Sequence, residues 1–441
     1  MRILLVNPCW PDSRPALPGE ASAPPLGLAY IAAAVGRAGF EVQIQDMAVA
    51  AMRPPDIAPF AVDFDVVGIS ANMTCTAYSC LDIARRVKGA NPRAFVVLGG
   101  NHATFEYRHL LQEPAVDAVC TGEGEVTFLE VAEHVARGRP FKGCAGAVWR
   151  DGQGRVVIGP PRPRVDDLDV LPMPARYLLP LKAYDRAGNV SSSRGCPFGC
   201  TFCSTSAFNG RTVRRHSIGR VLNEVSSLVH DYGCRDIEFS DDTFTLDRRR
   251  VLDFCAGLQV SGLDIRWSCS TRVDVIDPDL LRTMRDAGCW RMFLGVESAR
   301  QEVLDGVAKG IDAERVLDAF EWCRRLGIKT VGAFIVGLPG DTLEGLRATA
   351  NFIRRAQPDM VAVSILKPFP GTPVRERADE LGIRITCRDY ARYRYVSPAC
   401  ATATMSPDDV RRGYVMLQLA TRDLARQMEG SASPSRTAGV V

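Results

Sequence analysis

The sequence predicts an α/β protein built as two layered halves, an N-terminal doubly wound, Rossmann-like sheet followed by a partial (β/α)6 barrel. Apolar strand runs alternate with amphipathic helical runs from residue 1 to about 145, the pattern of a parallel sheet wrapped by helices. A proline-rich stretch, PPRPRVDDLDVLPMPAR, then breaks the alternation, because proline sustains neither a helix interior nor a central strand. Six further strand and helix units follow. At 441 residues the chain exceeds what one core usually organises. The expected division is 1–145 for the first layered domain, 146–185 for a hairpin and linker, 186–375 for the barrel, and 376–441 for a C-terminal extension with a disordered tail.

In the first half ILLVNP reads as a strand, LGLAYIAAAVGRAG as a helix ending at Gly39, and EVQIQDM as the next strand. DVVGIS, SCLDIARRVKGAN, AFVVLGG and DAVCTGEGEVTFLEVAEHVARG continue the alternation. Ligands on such sheets bind outside the carboxyl ends of the strands, near a switch in strand order. Those ends carry small and polar residues: Asn7-Pro8, Ser70-Ala71-Asn72, Gly99-Gly100-Asn101-His102 and Gly122-Glu123-Gly124. The dinucleotide fingerprint G-x-G-x-x-G is missing after the first strand, which disfavours a nicotinamide or flavin cofactor. Glu123 and Glu125 have two compatible readings, capping of the helix that starts beside them or contact with a ligand. His102, alone after two glycines, reads as a hydrogen-bonding loop residue rather than a metal ligand.

GAVWRDGQGRVVIGP reads as a hairpin around Asp151-Gly152. In the second half NVSSSRG leads into a cysteine-bearing loop, and the units SIGRVLNEVSSLVHDYG, RDIEFSDDTF, RRRVLDFCAGLQ, IRWSCSTR, LLRTMRDAG, RMFLGVES, AERVLDAFEWCRRLG, KTVGAFIVGLPG, LEGLRATANFIRRA and MVAVSILKPFPGT complete the six. Barrels of this type carry function at the carboxyl ends of their strands. After about residue 376 a strand-like piece, a helix from Pro407 to about Met428, and a tail rich in Ser, Ala and Gly are expected.

The net charge of +3 arises from 54 basic and 51 acidic residues, too even a balance to imply nucleic acid or a membrane surface as partner. No stretch approaches the roughly 18 apolar residues of a membrane span, and MRILLVNP reads as a strand rather than a signal peptide. Most of the fifteen cysteines are expected to be reduced thiols in a cytoplasmic protein.

Three cysteines stand apart. Cys196, Cys200 and Cys203, in GCPFGCTFC, follow one another at intervals of four and three residues. Three close thiolates hold three irons of a [4Fe-4S] cube and leave the fourth open to a ligand that is not protein. A structural zinc site would want four protein ligands, and His216 lies thirteen residues beyond Cys203. The remaining cysteines, including Cys387 and Cys400, form no second ligand ladder.

The motif CxxxCxxΦC, with Phe202 before the last cysteine, resembles the signature of the radical S-adenosylmethionine superfamily. The first half is similar to the cobalamin-binding domain that precedes the radical domain in one large subfamily. That likeness rests on Pro24-Pro25-Leu26-Gly27-Leu28, on the Ser70 and Thr74 strand end, on VVLGGNHAT with Gly99, Gly100 and His102, and on TGEGE with Gly122 and Glu123. The D-x-H-x-x-G motif that supplies a histidine to cobalt elsewhere is absent, so cobalamin without a protein imidazole beneath it is implied. The resemblance implies three cofactors: a [4Fe-4S] cluster, S-adenosyl-L-methionine and cobalamin.

Residue by residue, it places the backbone of Phe202 near the adenine. Ser240, Asp241 and Asp242 stand where many members carry a Gly-Gly-Glu run that touches the methionine amino group, a departure that leaves this contact open. Arg272 suits a carboxylate by its planar fork, Glu297 and Ser298 suit the ribose hydroxyls or the amino group, and Gly337 and Gly340 let the backbone approach the adenine. Each has an alternative: Arg272 and Glu297 as an ordinary ion pair, Asp241 or Asp242 as a cap or solvated loop residue. The function implied is a cobalamin-dependent C-methyltransferase acting on a small molecule, with a flavodoxin- or ferredoxin-type electron donor. The alternative is an oxidative cyclase, ring-rearranging enzyme or hydroxylase, and a cluster-based redox sensor is the remote third.

Overall fold

The computed structural model of the protein describes residues 1–9, 22–394 and 396–431, so the predicted disordered tail from 432 lies outside the described residues. In the first half the elements are β1 (Arg2–Asn7), α1 (Leu26–Arg37), β2 (Glu41–Asp46), β3 (Val66–Ser70), α2 (Ala77–Ala90), β4 (Phe95–Gly99), α3 (Asn101–Leu110), β5 (Ala118–Cys120), α4 (Gly124–Ala136), β6 (Ala147–Arg150) and β7 (Val156–Ile158). The sheet order is β2-β1-β3-β4-β5-β6-β7. Ile3, Leu4, Leu5 and Val6 are all buried, as expected of a central parallel strand covered on both faces. Leu4, Val67 and Ile69 pack toward Ile83 and Val87 of α2, while Ile3, Leu5 and Val97 pack toward Val35 of α1 and Val131 of α4. Strand order reverses between β1 and β3, and the ends of these two strands, Asn7 and Ser70, lie at that switch.

The predicted hairpin forms, but as part of this sheet. β6 pairs antiparallel with β5, Ala118 opposite Trp149, and β7 pairs antiparallel with β6. The physical reason is edge protection: β5 is a short, fully buried apolar strand whose outer edge must be covered. The linker that follows carries short helical turns at Leu168–Val170, Arg176–Leu178 and Leu181–Ala183. Its Leu168 and Leu171 pack on Tyr30 of α1, and its buried Arg176 donates to Glu224 Oε1 at 2.6 Å and to the Asn189 carbonyl at 2.5 Å in the second half.

The second half contains β8 (Gly188–Val190), α5 (Ile218–His230), β9 (Asp236–Phe239), α6 (Arg248–Ser261), β10 (Arg266–Thr271), α7 (Pro278–Asp286), β11 (Cys289–Glu297), α8 (Ala313–Arg325), β12 (Lys329–Val336), α9 (Leu343–Ala356) and β13 (Met360–Ile365). Six parallel strands lie in sequential order, β8 to β13, an open barrel. Phe239, Phe244, Phe254 and Trp267 form one aromatic knot in its core. No helix among the described residues is long and apolar enough to cross a membrane.

The helix assigned by sequence to an extension is α10 (Pro407–Ser431), and it lies against α9 and β13 as the sixth barrel helix. Leu417 and Ala420 are fully buried in the same core as Phe334 and Ile353. The chain between β13 and α10 leaves the barrel and packs on the first half, where Tyr390 and Tyr393 meet Cys75 and Ala77.

Leu417→Ala is expected to cost about 2–5 kcal/mol, as a buried leucine truncation does, whereas Leu419→Ala on the exposed face should stay within about 0.5 kcal/mol. Urea midpoints of the two variants check whether α10 belongs to the barrel core.

Candidate active site between the sheet and the barrel mouth

The cysteine loop follows β8 and is tied at Thr201, whose N–H donates to the Val307 carbonyl at 3.0 Å and whose carbonyl accepts from Val374 N–H at 3.1 Å. Gly195 opens the loop at φ +99°, and a Cβ there would fall 2.3 Å from the Thr212 carbonyl oxygen, so only glycine fits. Cys196, Cys200 and Cys203 are free and partly exposed. Among the described residues their sulfurs do not gather within 4.8 Å of one another. Burial pushes the Cys200 thiol up, and Lys309 and Arg272 pull it back. Phe202 packs its ring beside Val303, Leu338 and Val374.

The rim residues divide into those that face a cavity and those turned into the protein. Asp241 is buried and accepts from Ser192 N–H at 2.7 Å and from the hydroxyls of Ser192 and Ser193, each at 2.6 Å. Burial raises its carboxyl above the usual range against those bonds, and its place is that of a brace between the ends of β8 and β9. Asp242 accepts from Gly195 N–H at 3.2 Å and faces the cavity, as does Ser240. Arg272 lies over the Phe198 ring, 3.6 Å from its centre, and donates through Nε and Nη2 to Asp274, both at 2.9 Å. Its Nη1 is buried without a hydrogen-bond partner among the described residues.

Glu297 pairs not with Arg272 but with Lys309, at 2.7 Å, with both side chains buried. It adopts φ +68° at a register shift between β11 and β12, a strained geometry for a residue with a Cβ and one concentrated at functional sites. The pair hangs over Gly295, where a Cβ would meet both charged groups at 2.8 Å. Ser298 Oγ accepts from Arg300 N–H at 3.2 Å. Gly337 and Gly340 have φ +84° and +82°, and beside them the buried Asp341 has its carboxyl pushed up to about 6 by burial.

A cavity of about 590 Å³ separates the strand ends of the first sheet from the barrel mouth. The first half lines it with Ser70, Gly99, Gly100, Gly122 and Glu123, and the second half with Ser193, Arg194, Ser240 and Asp242. Gly100 is required: at φ +107°, its Cβ would lie 3.0 Å from the Asn72 backbone. Thr74 and His102 line a smaller adjoining cavity of about 210 Å³. The three cysteines, Phe202, Asp241, Arg272, Glu297, Ser298, Gly337 and Gly340 line neither.

Two sequence readings change here. Glu123 and Glu125 do not cap α4 with their side chains. Glu123 instead accepts from Arg194 Nη1 at 3.0 Å and from Arg214 at 2.8 Å through each oxygen, and Glu125 accepts from Arg194 Nη2 at 2.6 Å. Burial opposes the charge of Glu123, but Arg214 and Arg194 outweigh it and hold the carboxyl below its ordinary value. His102 sits in the first turn of α3 rather than in a loop. Its Nδ1 lies 3.3 Å from Thr74 Oγ1 and its ring stands edge-on to Tyr390. Burial, with His109 and Arg375 nearby, lowers its imidazole to about 3, so it is neutral.

Sequence reasoning missed Arg194, Arg214, Lys309 and Tyr30, over whose ring Arg194 lies at 5.2 Å. Only Arg194 left a signal, as the basic residue directly before the cysteine loop.

The comparisons with known proteins cover both halves of the chain. The B12 binding domain matches residues 19–132 and the Radical SAM superfamily matches residues 190–353. A Pyrococcus horikoshii protein named as an uncharacterized methyltransferase is 35% identical, over 97% of this chain and 95% of its own. The anaerobic magnesium-protoporphyrin IX monomethyl ester cyclase of Rubrivivax gelatinosus is 30% identical, over 94% of this chain and 75% of the cyclase. In fold, the chain matches the radical S-adenosylmethionine methyltransferase TsrM from Kitasatospora setae, solved with cobalamin and a [4Fe-4S] cluster, with a TM-score of 0.75 and 18% identity over 95% of this chain and 88% of that one. The chain is an enzyme of the cobalamin-dependent radical S-adenosylmethionine family. Its cofactors are a [4Fe-4S] cluster, S-adenosyl-L-methionine and cobalamin.

Replacing Cys196, Cys200 and Cys203 together by Ala is expected to abolish iron binding after anaerobic reconstitution, together with all 5′-deoxyadenosine formation. Iron analysis and product chromatography check both. A full iron complement in the variant would place the cluster elsewhere.

Proposed function

We propose that the protein transfers a methyl group to an unactivated carbon of a small-molecule substrate. The observation that carries this reading is the shared seam. The cavity at the strand ends of the first sheet opens onto Ser193, Arg194, Ser240 and Asp242, the same barrel rim from which the cysteine loop rises. When bound, cobalamin supplies a carrier for the methyl group, and the cluster supplies the electron that cleaves S-adenosyl-L-methionine to a hydrogen-abstracting radical.

The chain's own residues would do the rest. Cys196, Cys200 and Cys203 hold the cluster. The free Nη1 edge of Arg272 takes the carboxylate of S-adenosyl-L-methionine, and Gly337 and Gly340 leave room for its adenine beside the Phe202 backbone. Glu297, fixed by Lys309, faces the ribose hydroxyls, with Ser298 beside it. Ser70, Gly99, Gly100, Gly122 and Glu123 take the corrin and its tail, and Thr74 and His102 brace the loop after β3. His102 lies outside the larger cavity, with Nδ1 on Thr74 and its ring edge-on to Tyr390, which supports cobalamin without an imidazole ligand beneath the metal. An external flavodoxin- or ferredoxin-type protein delivers electrons. The fifteen free thiols support work in a reducing cytoplasm.

The cyclase likeness supports the second reading, oxidative ring closure on the same scaffold. With the true substrate, methyl transfer is expected to yield S-adenosylhomocysteine and 5′-deoxyadenosine in equal amounts, measured by quantitative mass spectrometry. Loss of hydrogen from the substrate with 5′-deoxyadenosine and no S-adenosylhomocysteine would establish the cyclase reading instead.

A further inference from the structure

We propose that Glu130, His134 and Cys144 form a zinc site, at the end of α4 opposite the cavity. Their ligand atoms all lie within 4.8 Å of one another. Glu130 and His134 are one helical turn apart on α4 and share a face, and Cys144 is brought to them by the turn that leads into β6. Their nitrogen, oxygen and sulfur donors are the set that zinc takes.

Each side chain on the helix is oriented by a second partner. His134 Nδ1 is 2.7 Å from the Pro140 carbonyl oxygen, which can only accept, so this nitrogen donates there and Nε2 is the ring nitrogen turned toward the other two side chains. Phe141 stacks on the ring at 5.6 Å and fixes its plane. Nε2 faces Glu130 Oε1 at 4.0 Å, too far for a direct hydrogen bond. Glu130 Oε2 is occupied by Arg162, whose Nε is itself held by the Ala145 carbonyl at 3.0 Å, so the carboxylate turns Oε1 inward.

Cys144 is fully buried, with Glu130 and Arg162 beside its thiol. Zinc binding would replace that thiol proton, which leaves to solvent. The dication is balanced by one thiolate and one carboxylate, while Arg162 stays paired to the outer carboxylate oxygen. Glu130 is partly exposed, which admits a water as fourth ligand. Three protein ligands and a water make an open site rather than the closed four-ligand set of a structural zinc, and it stands away from the cysteine loop.

The test uses the full-length, cluster-loaded enzyme, incubated with one equivalent of zinc and desalted. Metal analysis should find one zinc per chain beside an unchanged iron content, and zinc-edge X-ray absorption should show one sulfur at about 2.3 Å and nitrogen or oxygen neighbours at about 2.0 Å. His134→Ala and Cys144→Ala should each lose the zinc and keep the iron. Zinc should raise the melting temperature of the wild type and leave that of His134→Ala, a partly exposed position, unmoved. No retained zinc, a three-sulfur shell, or equal zinc in the wild type and His134→Ala would each overturn the proposal.

Discussion

The clasp between Arg194 and Arg214 on the barrel side and Glu123 and Glu125 on the sheet side fixes the geometry on which the site depends. Both carboxylates stand at the start of α4, directly beyond the end of β5, and Arg194 directly precedes Gly195 of the cysteine loop. The strand ends that line the cavity and the loop that carries the thiols are therefore positioned by the same four charges. Buried ion pairs repay their desolvation only when the geometry is good and the remaining hydrogen-bonding capacity is satisfied. Here Glu123 accepts from two guanidinium groups, and Arg214 also donates to the Val165 carbonyl at 2.8 Å, which brings the linker into the same network. Glu123 is held below its ordinary value, so its contribution is fully present above the unfolded carboxylate pKa and is lost as pH falls through the depressed folded value.

A second set of constraints closes the seam from its other sides. Arg176 of the linker is buried against Glu224 and Asn189 of the barrel, while its neighbours Leu168 and Leu171 cover Tyr30 of the sheet half. On the far edge the excursion before α10 lays Tyr390 against His102, and Arg375 pairs with Glu106 at 3.4 Å. The chain thus crosses between the halves twice, and each crossing carries a buried arginine or aromatic residue that specifies how they meet.

Most of the fold was legible because parallel strands buried on both faces, such as Ile3 to Val6, and helices with one apolar face leave periodic signals. One helix and one sheet pairing were not. The segment Asn101–Leu110 follows two glycines and carries few apolar residues, so α3 was missed, and its packing on the sheet came from tertiary contact. The hairpin at β6 and β7 was legible as a hairpin, but which sheet it would join depends on the bare edge of β5, which local sequence does not describe. In the site, the three cysteines declared themselves by spacing. For Asp241 the sequence left a ligand contact, a cap and a solvated loop residue open, and it stands bonded to Ser192 and Ser193; Glu297 found Lys309 rather than Arg272, because partner choice across a barrel rim is set by register and not by residue type.

The central claim is that the clasp holds the cavity in register over the cluster loop, and the most direct measurement is the cobalamin affinity of Arg214→Ala in the reconstituted full-length enzyme. Arg214 does not line the cavity, so its loss acts only through Glu123 and the linker. The account predicts cobalamin binding weakened by at least about tenfold, some 1.4 kcal/mol, with iron content unchanged. Unaltered cobalamin affinity in a variant that keeps its iron would contradict it.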